Sequence, residues 1–300
     1  FGFNWGNATA TVRWNHIVND KLFSNTSLIY SDFSYNVNVS NDESDFTIAS
    51  KIRNWNLKQD FSYYRNAENT FRFGVNILQQ SIKPASLEAA ANAAVNSISV
   101  DSRQGVEAAA YLSHEWKPLE RLSLIYGLRL TDFMVMGPGT FYSYDGDGEP
   151  TDEHVYGSKV IKHYLNLEPR FSASYMLNNK SSVKASYNRI AQNLHQLTNT
   201  TSSLPTDQYV VSSALIKPQI ADQVALGYFR NFKDNSYEFS VEAYYKYLDN
   251  QIDFRNDADL QANKFLEGDL LFGVGRAYGL EWLLRKNEGK FTGWISYTLA

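Results

Sequence analysis

Alternation constrains this chain more than any other feature of its sequence. In the run Tyr237-Glu238-Phe239-Ser240-Val241-Glu242-Ala243-Tyr244-Tyr245-Lys246-Tyr247, every odd-numbered residue is apolar or aromatic and the even-numbered ones are mostly polar. A period of two is the signature of a strand whose faces meet different surroundings. Leu122, Leu124, Tyr126, Leu128 and Leu130 repeat it against Ser123, Gly127, Arg129 and Thr131. So do Leu165, Leu167, Phe171, Ala173 and Tyr175 against Asn166, Glu168, Arg170, Ser172 and Ser174. Phe71, Phe73, Val75 and Ile77 oppose Thr70, Arg72, Gly74 and Asn76, and Trp55, Leu57, Phe61 and Tyr63 oppose Asn56, Lys58, Asp60 and Ser62. Strands of roughly 12 to 16 residues are implied, well beyond the usual soluble length of about 5 to 6. The Ala-rich stretch from Ser86 to Ala94 is the single place with a helical reading.

Two kinds of connection alternate between these runs. Short polar turns fall near Asn19-Asp20, Asn66-Ala67-Glu68-Asn69, Lys117-Pro118-Leu119-Glu120, Asn178-Asn179-Lys180-Ser181, Lys233-Asp234-Asn235-Ser236 and Asn287-Glu288-Gly289-Lys290. Long loops lie at residues 84 to 102, 137 to 160, 197 to 217 and 253 to 272, with a shorter one at 40 to 46. All short turns therefore fall at one end of the strands and all long loops at the other. That is the plan of an up-and-down transmembrane β-barrel, periplasmic turns on one side and extracellular loops on the other. About twelve strands are expected from this rhythm. The end residues, Phe1-Gly2-Phe3-Asn4-Trp5 and the alternating Phe291 to Leu299, read as wall cut from a longer protein, with no secretory leader.

Composition agrees where it bears on the argument. Aromatic residues make up 15% of the chain, and Trp14, Tyr30, Trp55, Tyr63, Trp116, Tyr175, Tyr228 and Trp282 sit near strand ends or on apolar faces, as membrane-interface girdles require. No apolar run reaches the roughly 18 residues of a transmembrane helix. A soluble β-rich adhesin or carbohydrate-binding sandwich, or a passive porin-like channel, would share the alternation. A net charge of -4 argues against nucleic acid as a partner, and the absence of Cys excludes disulfides and thiolate metal sites.

Short motifs along the chain resemble a known family. Trp14-Asn15-His16 with the segment Lys21 to Ser31, Tyr126-Gly127-Leu128-Arg129-Leu130, Leu167-Glu168-Pro169-Arg170, and Ala185-Ser186-Tyr187-Asn188-Arg189 with Gln192 and Leu194-His195 are similar to the barrel of TonB-dependent outer-membrane receptors. Lys217-Pro218-Gln219, Gly227-Tyr228, Glu242 to Lys246 and Gly273 to Glu281 continue the resemblance over essentially the whole chain. It implies a Gram-negative outer-membrane barrel of about 22 strands, closed by a plug. It also implies active uptake of a scarce nutrient of the siderophore, cobalamin or glycan class, energised through TonB. Residues 1 to 300 would be part of one barrel domain. The plug, the TonB-contacting segment and the last strands are expected outside it.

Candidate chemistry is sparse. Asp145-Gly146-Asp147-Gly148-Glu149-Pro150 starts like a calcium loop, but Pro150 and Tyr156 occupy positions where the EF-hand pattern needs Gly and Glu. Gly273, Gly275 and Gly279 precede a strand rather than a helix, so bulges or close strand approach are expected there instead of a phosphate site. His16, His114, His154, His163 and His195 form no metal motif and no GxSxG elbow is present, so no catalytic residue, metal or cofactor is expected. The lumen is expected to be lined by Asn56, Lys58, Asp60, Arg72, Arg129, Glu168, Arg170, Lys184 and Asn188, with Glu168 and Arg129 able to pair across strands. Leu124, Leu128, Leu226, Val241 and Leu283 are expected to meet lipid, while Arg189 falls on the same face without explanation. For cargo, the loop carrying Phe141, Tyr142, Tyr144, Asp145 and Asp147 combines flat rings and acceptors suited to a small molecule or oligosaccharide.

Overall fold

The computed structural model describes the chain except residues 42–43, 92, 94, 199–206, 257 and 259–262. Long alternating segments pair with their sequence neighbours. β1 (Gly2–Asn19), β2 (Leu22–Asn41), β3 (Ser44–Asn66), β4 (Asn69–Ala89), β5 (Arg103–Leu119) and β6 (Leu122–Met136) follow one another in the sheet. β7 (Gly139–Tyr144) and β8 (Pro150–Tyr156) form a separate hairpin, after which β9 (Val160–Asn178) and β10 (Ser181–Gln192) return to the wall. β11 (Leu194–Leu197) and β12 (Gln208–Val211) form a second hairpin, and β13 (Gln219–Phe232), β14 (Tyr237–Phe254), β15 (Leu270–Lys286) and β16 (Gly293–Leu299) complete one antiparallel sheet of twelve strands. The fold is all-β and up-and-down. A single 3-10 turn at Leu266–Asp269 is the helix among the described residues. Ser86 to Ala89 continue β4 instead of starting a helix, because Ser86 is held in register against Ala49.

Register assigns every wall residue to a face. Leu28, Leu57, Ile77, Ala108, Leu128, Pro169, Tyr187, Val224, Tyr245 and Tyr278 belong to one outward face, linked through successive cross-strand partners. Trp14, Tyr30, Trp55, Tyr63, Trp116, Tyr175, Tyr228 and Trp282 all share it. Leu283 does not. It lies between Ser240 and Ser296 on the inward face, while Leu280, Trp282 and Leu284 face out. Two adjacent leucines, Leu283 and Leu284, make either phase of β15 look apolar, and only the partners on β14 and β16 decide it.

The alternation inverts toward the loop end. Going up the outward face, Tyr30 is followed by Asp32, Trp55 by Arg53, Leu130 by Asp132, Tyr187 by Arg189 and Val224 by Asp222. At the same level the inward face turns apolar. Ile52, Ile82, Phe133 and Val135 are buried there, Phe133 completely, against Phe141 of β7 and Val211 of β12. The two hairpins thus fold over the inner wall at the loop end, each buried side chain of this size contributing about 2 kcal/mol. Arg189 is explained by the same inversion, since it stands 3.9 Å from Asp222, its cross-strand partner.

Glycines admit inward rings. A Cβ on Gly74 would lie 2.2 Å from the Gln59 carbonyl and 2.6 Å from the Tyr111 hydroxyl, so only glycine lets the Tyr111 ring cross the neighbouring strand toward Asp60. The expected bulge near Gly273 and Gly275 is present in β14, where the register slips between Leu248 and Gln251 and Asn250 adopts a φ of 53°.

All the short turns fall at one end, which supplies a topology test. With the native chain free of Cys, an impermeant thiol reagent on intact cells should label Ser143→Cys, on β7, and spare Asn179→Cys, in the turn between β9 and β10. Labelling of the second site alone would reverse the assignment. Ser202, an equivalent loop position by sequence, lies outside the described residues.

Candidate functional site

The inward face carries its charges in several groups, the largest centred on Arg129 and Glu168. Asn56, Lys58, Asp60, Arg72, Arg129, Glu168, Arg170, Lys184 and Asn188 all lie on it, opposite the apolar set. Arg129 and Glu168 are direct cross-strand partners on β6 and β9, 3.8 Å apart. Arg129 also reaches Glu107 at 3.2 Å, and Arg170 approaches the other Glu168 oxygen at 3.5 Å. The Thr131 hydroxyl donates to Glu168 at 2.6 Å. With its side chain only 4% exposed, Glu168 is a carboxylate that the fold has removed from water. Such a group persists when its oxygens are filled by charge-assisted donors, as here.

Toward the turn end the network is more open. Lys58 pairs with Asp60 at 3.2 Å, Asp60 accepts from Tyr111, and Arg72 reaches Glu115 at 3.3 Å. A cavity of about 350 Å³ is lined by Lys58, Tyr111, Ser113, Arg129 and Arg170 among others. Lys184 lies over the Phe229 ring at 4.5 Å. These groups leave a polar, concave wall.

The chain after β10 turns into this wall. Asn193 donates to Glu107 at 3.0 Å, and its carbonyl accepts from the Ser212 amide, which ties the β11–β12 hairpin to the network. His195 on β11 is fully buried beside the Ser212 hydroxyl, 3.1 Å away, and burial pulls its pKa down to about 4, so it is neutral at physiological pH.

On the β7–β8 hairpin, Phe141 is buried with the Arg103 guanidinium 4.3 Å above its ring. Tyr142 meets Phe265 edge-on at 5.0 Å and has the Lys264 ammonium 5.1 Å from its ring. Tyr144 packs against Gly268, and burial pushes its hydroxyl pKa up. Asp145 accepts from the amides of Asp147 and Glu149, closing its own turn, and Asp147 is exposed at the tip. Glu267, accepting from Ser213 at 2.9 Å, has its carboxyl pKa raised by burial against the opposing pull of Arg103.

A family profile described as "TonB dependent receptor-like, beta-barrel" matches residues 1–299. The chain belongs to the TonB-dependent receptor-like β-barrel family. Solved structures of similar fold include the ferric-catecholate import receptor Fiu of E. coli K12, with 12% identity and a TM-score of 0.60 over 99% of this chain and 47% of that one. The copper transporter OprC gives 12% identity and a TM-score of 0.68 over 99% of this chain and 48% of its own. The iron transporter FrpB of Neisseria meningitidis gives 11% and 0.64 over 99% and 44%. The chain therefore spans about half the length of these structures. Comparison with curated protein sequences finds no match.

Within this TonB-dependent receptor-like barrel wall, sequence reasoning missed Glu107, Thr131, Asn193, Arg103 and Glu267 as members of the two clusters. Glu107 and Thr131 follow the inward phase of their strands and were accessible from alternation alone. Arg103, the first residue of β5, keeps the same phase as Glu107, whereas Asn193 and Glu267 join through loops that bond residues 86 and 54 positions away, and no local pattern announces that. Among the described residues no group of three or more His, Cys, Asp or Glu is placed to hold a metal.

Proposed function

We propose that this wall belongs to an outer-membrane importer of a scarce nutrient in a Gram-negative bacterium, energised through TonB. The observation that carries the reading is the family match over residues 1–299, on a sheet whose outward face is mainly apolar below its loop end and whose inward face holds paired charges such as Arg129 with Glu168. A plug seated on that inward face would meet Lys58, Asp60, Arg72, Arg129, Arg170, Lys184 and Asn188, with Asn56 and Glu168 behind them. The plug and the TonB-contacting segment would lie outside these 300 residues, and lipid would cover the outward face.

Cargo of the siderophore, cobalamin or glycan class fits a mouth built of loop hairpins. Tyr142 and Tyr144, half-buried, with the exposed Asp145 and Asp147 beside them and Phe141 anchoring the hairpin below, are the rings and acceptors next to the tip of the β7–β8 hairpin. The test begins with a receptor-deletion strain grown on ferric siderophores, cobalamin or oligosaccharides as limiting nutrients. Restoration of growth on one of them should require both the full-length receptor and TonB. Growth that is independent of TonB would favour a passive channel and overturn the reading. With the cargo known, Tyr142→Ala combined with Tyr144→Ala should weaken its calorimetric affinity by about 1 to 3 kcal/mol. An unchanged affinity would remove the hairpin from the cargo site.

A further inference from the structure

The outward face carries a cluster in which three cations face two carboxylates, directly above its aromatic girdle. Tyr30 and Trp55, cross-strand partners on β2 and β3, have ring centroids 4.7 Å apart. One outward position nearer the loop end come Asp32 and Arg53, and one further comes Lys51, opposite Ser34 on β2 and Lys83 on β4. Lys51 and Arg53 converge on the same Asp32 oxygen at 3.0 and 3.2 Å, and that oxygen also accepts from the Tyr30 hydroxyl at 2.9 Å. The carboxylate is tucked in at 18% exposure, while the cations stay open at 39% and 55%. Lys83, 44% exposed, pairs among the described residues with the outlying Glu88 at 3.9 Å, itself 72% exposed.

We propose that Lys51, Arg53 and Lys83 form a site for a phosphate-bearing headgroup of an outer-leaflet lipid. The inference rests on the outer-membrane reading above, which sets this face against the bilayer. The cluster sits where the outward face changes from apolar to charged, so a lipid whose acyl chains cover Leu28 and Leu57 brings its headgroup level with these side chains. Lys51 and Arg53 share one recessed carboxylate and Lys83 adds a third cation beside them, in a chain whose total charge is -4, so the positive excess is local. The flanking girdle shows what a neutralised position looks like. On β10 and β13, the Tyr187 hydroxyl donates to Asp222 at 2.7 Å and a single Arg189 answers that carboxylate. The β2 to β4 cluster repeats the Tyr-Asp-Arg arrangement and adds two lysines to it. Phosphate oxygens suit this arrangement, since a guanidinium and two ammonium groups at neighbouring register positions of adjacent strands supply several charged donors to one anion. A phosphorylated acyl glycolipid satisfies both the headgroup and the chain requirement.

The test uses the full-length receptor extracted in dodecyl maltoside, exchanged with diphosphorylated lipid A, with its dephosphorylated form, or with inorganic phosphate, and examined by native mass spectrometry. Wild type should retain the diphosphorylated glycolipid and not the dephosphorylated one. Combined Lys51→Gln, Arg53→Gln and Lys83→Gln should lower its retention at least tenfold. Asp32→Asn, which removes the competing carboxylate, should raise it, and this gain keeps the test decisive if the triple variant is poorly folded. Equal retention by wild type and the triple variant, or loss on Asp32→Asn, would overturn the proposal. Binding of inorganic phosphate as strong as that of the glycolipid would also overturn it, by showing an ion site and not a lipid site. A receptor that stays monodisperse without detergent would instead refute the membrane reading, an outcome separate from any change in lipid retention.

Discussion

Arginine at Leu280 should destabilise the full-length receptor in phospholipid vesicles by about 2 to 4 kcal/mol, while arginine at Leu283, three residues along the same strand, should cost far less. The reason is phase. Leu280 is held opposite Ala243 and Leu299 on the outward face, so a guanidinium there must be carried into hydrocarbon. Leu283 sits between Ser240 and Ser296 on the inward face, where water or polar protein can solvate the charge. Leu128→Arg and Leu226→Arg should behave like Leu280→Arg, since cross-strand partners place both outward. Lys184, already charged and inward, marks the tolerant phase on β10. Denaturant unfolding from vesicles reads the difference directly. Equal penalties at Leu280 and Leu283 would sink the register of β15, and equal penalties on both faces throughout would sink the membrane-spanning reading.

Removal of the Arg129 side chain should be the most damaging single change on the inward face. Arg129→Ala takes away a cation that, alone among the described residues, pairs with both Glu107 and Glu168. Glu168 keeps Thr131 and a longer contact to Arg170, and Glu107 keeps Asn193, but two carboxylates shielded from solvent lose their shared counter-charge. Breaking a buried pair from one side costs about 3 to 5 kcal/mol, because the orphaned charge remains. Neutralising it should recover part of the loss, so Glu168→Gln added to Arg129→Ala should be more stable than Arg129→Ala alone, by about 0.5 to 3 kcal/mol. Thermal unfolding of the full-length receptor in detergent measures both steps. A cost below about 1 kcal/mol, the range of exposed ion pairs, would show that water screens the network in the assembled barrel. Since Asn193 hangs from Glu107, faster proteolysis within residues 194 to 217 should accompany Arg129→Ala.

The clusters at the two ends of the lumen answer different physical demands. Near the turns, inward polar groups face a concave space and remain partly hydrated. Near the loops, Phe133, Val135, Ile52 and Ile82 turn inward and the hairpins bury them, while Asp32, Arg53, Asp132 and Asp222 turn outward. The same two-residue period serves both regions. What changes is which side is wet. On β3, the outward stretch from Tyr63 to Trp55, apolar except for Gln59, whose amide is bonded to Thr26 and Ser24, rises about 27 Å along the strand at ~3.4 Å per residue, or about 20 Å once tilted, close to the apolar band such walls present to lipid.

Strand content, turn positions and the face of nearly every wall residue were determined by the sequence itself. Alternation is local: a strand with one face in hydrocarbon and one in water must write that difference at every second residue, and Leu122 to Leu130 or Leu165 to Tyr175 do so without help from elsewhere. The polar turns are equally local, since Asn178 to Ser181 or Lys233 to Ser236 need only their own backbone preferences. Tertiary structure alone decided the rest. Whether Leu283 or Leu284 faces lipid depended on partners in β14 and β16, and whether Arg129 meets Glu168 depended on a one-residue choice of register between β6 and β9. The long loops carried no two-residue period, so their hairpins, the burial of Phe141 and the tether from Asn193 to Glu107 arose from contacts between segments distant in the chain. Pattern records the surroundings of a residue, and register and loop packing record its partners, which a single chain read in order does not display.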